Sequence, residues 1–239
     1  MTDAAAADEL IELCAYGEAA WQAAAYGWLG ATWTFSDDIA WGQHVPHRFL
    51  LGAVTLGQDP ALPDRLTGTI RDSWGALSSR LGQTHRAEPA DPWMVRPAGP
   101  SMPPQVPGLT IEPAADAEMF EQVAFIAAGG EPPGQPGELH PRGSERTPGL
   151  HLLVAQLDGQ LVGSALALIH ARGLLVSAVA VVAAHRGRGI GASLTSAAIN
   201  CAAGRPATLS SSSAGMGMYR RLGFEIVGSP LDWKPIDPD

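Results

Sequence analysis

The chain has 239 residues, 46% hydrophobic and 16% charged, with a formal net charge of −9. That composition belongs to a core-forming globular protein, long enough for one large or two small domains. Acids outnumber bases by 12 to 6 over residues 1–108 and by 12 to 9 over residues 109–239, which argues against nucleic acid as a partner. No apolar run approaches the ~20 residues of a membrane span.

Leu10, Leu13, Cys14, Gly17 and Trp21 recur at helical spacing, so Asp8 to Trp28 reads as a helix. Ala31 to Phe35 and Arg48 to Leu56 read as strands, the second almost uniformly apolar as a buried strand is. Leu66, Ile70, Trp74, Leu77 and Leu81 form a stripe that predicts a helix over Pro60 to Leu81. Trp93 to Arg96 is a further short strand. Pro97 to Gly108, PAGPSMPPQVPG, is too rich in proline for regular structure and reads as an extended linker.

Past the linker, a strand is expected over Leu109 to Glu112 and a helix over Ala115 to Ala128. Gly129 to Gly149 holds five prolines and six glycines, and so long a loop in a compact domain is usually functional or disordered. His151 to Leu157 and Gln160 to Ile169 flank Asp158-Gly159, a hairpin turn. A strand over Leu174 to Val182, a helix over Ile190 to Ala203, and a strand over Ala207 to Ser211 follow. Met216 to Leu222 reads as a short helix capped by Gly223, and Phe224 to Val227 as a last strand.

The strand before the second helix of this region runs into VAVVAAHRGRGIGASL, Val179 to Leu194. Three glycines in a strand-to-helix turn let phosphate approach the backbone, and the first amides of a helix have no intrahelical partner. A nucleotide-triphosphate loop needs Gly-Lys-Ser/Thr, but the only lysine is Lys234. A dinucleotide fingerprint is formally matched by Gly187, Gly189 and Ala192, but the stretch where its ribose-binding acid belongs, RPATLSSSS, has no carboxylate. Arg/Gln-x-x-Gly-x-Gly/Ala is matched by Arg186, Gly189 and Gly191.

This turn resembles the coenzyme A-binding signature of the GCN5-related N-acetyltransferase (GNAT) superfamily. Ala214 to Val227, AGMGMYRRLGFEIV, resembles that superfamily's later helix and last strands. The resemblance covers Leu109 to Val227, just over half the chain. Ala183 stands where the family often has proline. The resemblance implies an α/β fold with a mixed, mostly antiparallel sheet flanked by helices. Residues 1–96 would be an N-terminal α/β region, read either as a degenerate GNAT-like half or as a substrate or interface domain. Residues 97–108 would be the linker and 109–239 the transferase domain.

It implies acetyl-CoA as cosubstrate, bound on Arg186, Gly187, Arg188, Gly189, Ile190, Gly191 and Ala192, with its diphosphate on the amides of Gly187 to Gly191. Val181, Val182 and Ala183 would pair with the pantetheine arm, and the Val181 amide would polarise the thioester. Tyr219 matches the family's tyrosine acid. The loop from Gly129 to Gly149 would cover the acceptor. The strand Leu174 to Val182 lacks the carboxylate base often found there. Glu145, His151, Asp37 and His47 are alternatives, as is a water chain.

The expected activity is N-acetylation of a small-molecule amine by direct attack in a ternary complex. A non-catalytic acyl-CoA-binding module is the alternative. The acidic start, MTDAAAADEL, is unlike a secretory signal, so a cytoplasmic chain is expected. Cys14 and Cys201 offer neither a disulfide framework nor metal-ligand spacing, so no metal is expected. Partners are otherwise limited to a second copy of the chain, with no nucleic acid and no membrane.

Overall fold

The computed structural model describes residues 4–129 and 137–236. The chain forms two compact units. One takes in the chain up to Val95, Ser210–Ala214 and the chain from Ile226; the other takes in Arg96–Leu209 and Gly215–Glu225.

The first unit opens with helix α1 (Ala4–Trp28) and continues through short strands β1 (Trp33–Phe35), β2 (Ile39–Gly42), β3 (Ala53–Thr55) and β4 (Ile70–Asp72). A single helical turn α2 (Ser78–Leu81), β5 (His85–Pro89) and β6 (Trp93–Arg96) follow. Strands β1 to β3 are antiparallel, and β4 lies parallel to β3. One core packs Cys14, Ala15, Ala19, Val54 and Trp93 together, and another packs Ile39, Ile70, Leu77, Leu81 and Trp233.

The helix expected over Pro60 to Leu81 does not form. Asp72 explains why: buried at 1% exposure, its carboxylate accepts from the backbone N–H groups of Trp74, Gly75 and Leu77. An aspartate that bonds forward to its own backbone builds a turn instead of a helix. Most of the apolar stripe still reaches the core, from a strand and a turn.

The second unit begins with the segment read as a linker, then β7 (Leu109–Pro113) and α3 (Ala117–Ala128). Asp116 caps α3 by accepting from Met119 N at 2.7 Å, and Gly129 closes it at φ +86°. Next come β8 (Leu150–Leu157), β9 (Gln160–Ile169), β10 (Leu174–Val181), α4 (Ile190–Asn200), β11 (Ala207–Ser210) and α5 (Met216–Arg221). Five strands lie in the order β11-β10-β9-β8-β7, all antiparallel except β10 and β11.

The last strands are β12 (Glu225–Gly228) and β13 (Leu231–Pro235). β13 lies between β4 and β5 and is antiparallel to both, so the end of the described chain completes the first unit's sheet. The fold is thus mixed α/β, with two mostly antiparallel sheets flanked by helices. Both units run helix, three antiparallel strands, crossover, parallel strand. In the first the crossover, residues 56–69, has no helix. Among the described residues no helix is long and apolar enough to cross a membrane.

Candidate active site

The site is built on β10. This strand pairs with β9 but shifts register between Ser177 and Ala180. Ala178, at the shift, has φ +49°, an uncommon conformation for a residue with a Cβ. On its other side β10 meets β11 only at Leu174–Ala207 and Leu175–Thr208. Beyond Leu175 that edge of β10 is no longer paired with β11.

Backbone alternation says which groups face this edge. Val182 N–H donates to Val162 O at 2.9 Å, toward β9. Val181, one residue earlier, therefore directs its N–H and C=O the other way. Its carbonyl accepts from Arg186 Nε at 2.8 Å. The carbonyls of Val182 and Ala183 accept from His185 N–H and Arg186 N–H. Val182 thus has both backbone groups engaged within the protein, whereas Val181 keeps its N–H on the edge.

The turn follows one 3-10 turn, Ala183–His185. Gly187 and Gly189 take φ +76° and +87°, which glycine adopts without strain. Gly189 is the N-cap of α4 and supplies no side-chain acceptor. The amides of Ile190, Gly191 and Ala192 therefore start the helix without a capping side chain, at the positive end of its dipole. A Cβ at Gly191 would stand 3.1 Å from Met218 Sδ, so glycine lets α5 pack close to this end. A positive, glycine-lined helix start fits a diphosphate.

The two arginines differ. Arg186 uses Nε on Val181 O and donates from Nη2 to Ala127 O at the end of α3, at 3.1 Å. Arg188 is exposed, with Nη1 3.3 Å from His185 Nδ1.

Tyr219 lies on α5 with 8% exposure, its ring edge-on to Phe224 at 5.9 Å. Burial pushes its phenol up to about 12. Among the described residues its hydroxyl has no hydrogen-bond partner.

The four candidate bases lie on different elements. Glu145 accepts from Gly143 N–H at 2.8 Å, His151 is on β8 with β9 between it and β10, and Asp37 and His47 belong to the other unit. The long loop, of which residues 130–136 lie outside the described residues, has an anchor that sequence reasoning missed. Glu121 on α3, fully buried, accepts from the backbone N–H groups of Glu138, Leu139 and His140. Glu121 shares α3 with Glu118 and Gln122, so the sequence AEMFEQVAFIAA carries no signal that sets it apart.

The Pro97 to Gly108 segment is irregular, as its prolines dictate, but it is fastened along α4. Asn200 accepts from Ser101 N–H and donates to Ser101 O, both at 2.9 Å. Ser193 Oγ donates to Pro104 O at 3.2 Å. A Cβ at Gly189 would come within 3.3 Å of Val106.

Strand, bulge, glycine turn and helix make this unit a mixed α/β domain. Residues 148–226 match the model of the acetyltransferase (GNAT) domain. The structure is similar to a GCN5-related N-acetyltransferase from Kribbella flavida, with TM-score 0.64 and 19% identity over 93% of this chain and 96% of that one. It is also similar to a GCN5-related N-acetyltransferase from Sphaerobacter thermophilus, at TM-score 0.53 and 20% identity, over 71% of this chain and 60% of that one. A functionally unknown conserved protein from Staphylococcus epidermidis aligns at TM-score 0.51 and 14% identity, over 71% and 73% of the two chains. No curated protein matches the chain. At these identities the structural likenesses speak to fold alone. The Kribbella flavida alignment extends over both units, which fits a GNAT-like strand order in the first.

Proposed function

We propose that the protein is an acetyl-CoA-dependent N-acetyltransferase, which joins a small amine to the acetyl group by direct attack in a ternary complex. The observation that carries this reading is the edge of β10 past Leu175, set beside a glycine-capped helix start. When bound, acetyl-CoA supplies an acyl group activated as a thioester. The amides from Gly187 to Ala192 hold the diphosphate, and Arg188 adds long-range attraction. Val181 N–H donates to the thioester oxygen as negative charge develops there.

Tyr219 serves the leaving sulfur. A thiol titrates near ~8.5, whereas the Tyr219 phenol is pushed up to about 12. Complete proton transfer from Tyr219 to a thiolate is therefore uphill. The hydroxyl instead donates a hydrogen bond that stabilises charge on sulfur. Neither cysteine is prepared for covalent catalysis: burial pushes both thiols up, away from the reactive thiolate form. Both cysteines are free, which suits a reducing compartment such as the cytoplasm.

Calorimetric titration with acetyl-CoA, with NAD as control, tests the cofactor. Thioester cleavage across an amine panel then tests the reaction. Acetyl-CoA binding with turnover is the expected result. Binding without turnover on any amine would favour an acyl-CoA-binding module, and no binding would remove both readings.

A further inference from the structure

We infer that Ser164 and Arg186 are positioning residues that brace the Ala178–Val181 edge from its two ends, so that Val181 N–H meets the thioester oxygen. This rests on the proposed acetyl-CoA chemistry and assigns two side chains to it.

Ser164 is fully buried in the apolar strand QLVGSALALI. A buried hydroxyl is costly unless it is bonded. Its Oγ donates to Ala178 O at 3.0 Å. Ala178 is the residue held at φ +49°, a conformation that persists only where its surroundings impose it. Ser164 therefore fixes the point at which β10 departs from regular pairing.

Arg186 fixes the other end through Nε on Val181 O at 2.8 Å. Its Nη2 bond to Ala127 O ties the same guanidinium to the end of α3. A guanidinium with donors on two backbone carbonyls is a brace, its planar fork held in one orientation. Between the two pinned carbonyls, Gly163 admits the close approach of β10: a Cβ there would lie 2.5 Å from Ala180 O. Val181 N–H lies within this braced span, so its direction follows from the two bonds.

The test uses the full chain and acetyl-CoA labelled with carbon-13 at the acetyl carbonyl. Calorimetry gives the affinity, and the carbonyl resonance of the bound form reports polarisation by Val181 N–H. The wild type should bind and move the resonance downfield. S164A should keep affinity within about threefold while losing most of that shift. R186M should lose both shift and roughly tenfold in affinity, and R186Q, which retains one N–H for Val181 O, should recover both. If S164A fails to fold, the R186M and R186Q pair decides.

S164A with an undiminished shift would overturn the inference. So would equal losses in R186Q and R186M, which would make Arg186 a charge partner of phosphate. Wild-type binding without a downfield shift would overturn the inference and the role of Val181 N–H while leaving the acetyl-CoA site standing, whereas absence of wild-type binding would overturn the proposed function and the inference with it.

Discussion

The carboxylate of Glu121 accepts the backbone N–H of His140 at 2.6 Å, across 19 residues of chain that include the first part of the Gly129 to Gly149 loop. Bonds to Glu138 N–H and Leu139 N–H complete the anchor. Glu121→Ala would leave three backbone donors without their acceptor. A loss of about 3 kcal/mol is expected in urea unfolding. Burial raises the Glu121 pKa, but the hydrogen bonds from His140 and Leu139 outweigh it and hold the carboxyl below its ordinary value. A depressed folded-state pKa contributes stability that is whole above the ordinary carboxylate range and is lost as pH falls toward the folded value. Glu121→Gln should therefore flatten the acid limb of the stability profile. An unchanged acid limb would count against the anchor.

Gly163 on β9 has no room for a side chain. A Cβ would stand 2.5 Å from Ala180 O and 3.0 Å from Leu194 Cδ1. Gly163→Ala should cost about 2 kcal/mol by overpacking and weaken acetyl-CoA binding, because β10 must move. Gly204→Ala is the matched control, with nothing within 4 Å of the added Cβ, and should fall within about 0.5 kcal/mol of wild type. Thermal unfolding and calorimetry on the two variants would check both parts.

The glycine turn was legible because it is a local rule: positive φ at Gly187 and Gly189, and an uncapped helix start, follow from residues adjacent in sequence. The hairpin at Asp158-Gly159 was legible for the same reason, and both residues have positive φ, +51° and +80°. What escaped reading is non-local. Arg71 bonds Asp232 across 161 residues, so no window around Leu231 could show that β13 joins the first unit's sheet. The stripe from Leu66 to Leu81 fits a helix, yet Asp72 diverts it with bonds that hydrophobic periodicity does not register. Ser164 interrupts an apolar run and Glu121 shares its helix with Glu118 and Gln122, and the partners of both are backbone atoms that sequence does not name.

Tyr219→Phe separates packing from chemistry. Phenylalanine keeps the edge-on contact with Phe224, so the unfolding free energy should stay within about 1 kcal/mol of wild type. Turnover on an active amine should fall on the order of tenfold to a hundredfold, with acetyl-CoA affinity nearly unchanged. Because burial pushes the phenol up to about 12, the hydroxyl stays protonated throughout neutral and mildly alkaline pH. The wild-type advantage over Tyr219→Phe should therefore persist across that range in a pH–rate profile. A variant with full turnover would remove Tyr219 from the reaction.

Arg188 is the exposed cation of the turn, and its only hydrogen-bond contact among the described residues is with His185 at 3.3 Å. Arg188→Glu should leave the unfolding midpoint unchanged, since an exposed side chain in so weak a contact contributes little to stability. It should lower acetyl-CoA affinity roughly tenfold at low salt. The difference from wild type should shrink as salt is added, because exposed charges are screened beyond about 10 Å at 0.1 M. Calorimetry at two ionic strengths reads this directly. A salt-independent loss would instead mean that Arg188 shapes the turn, and a lowered unfolding midpoint would mean that it supports the fold.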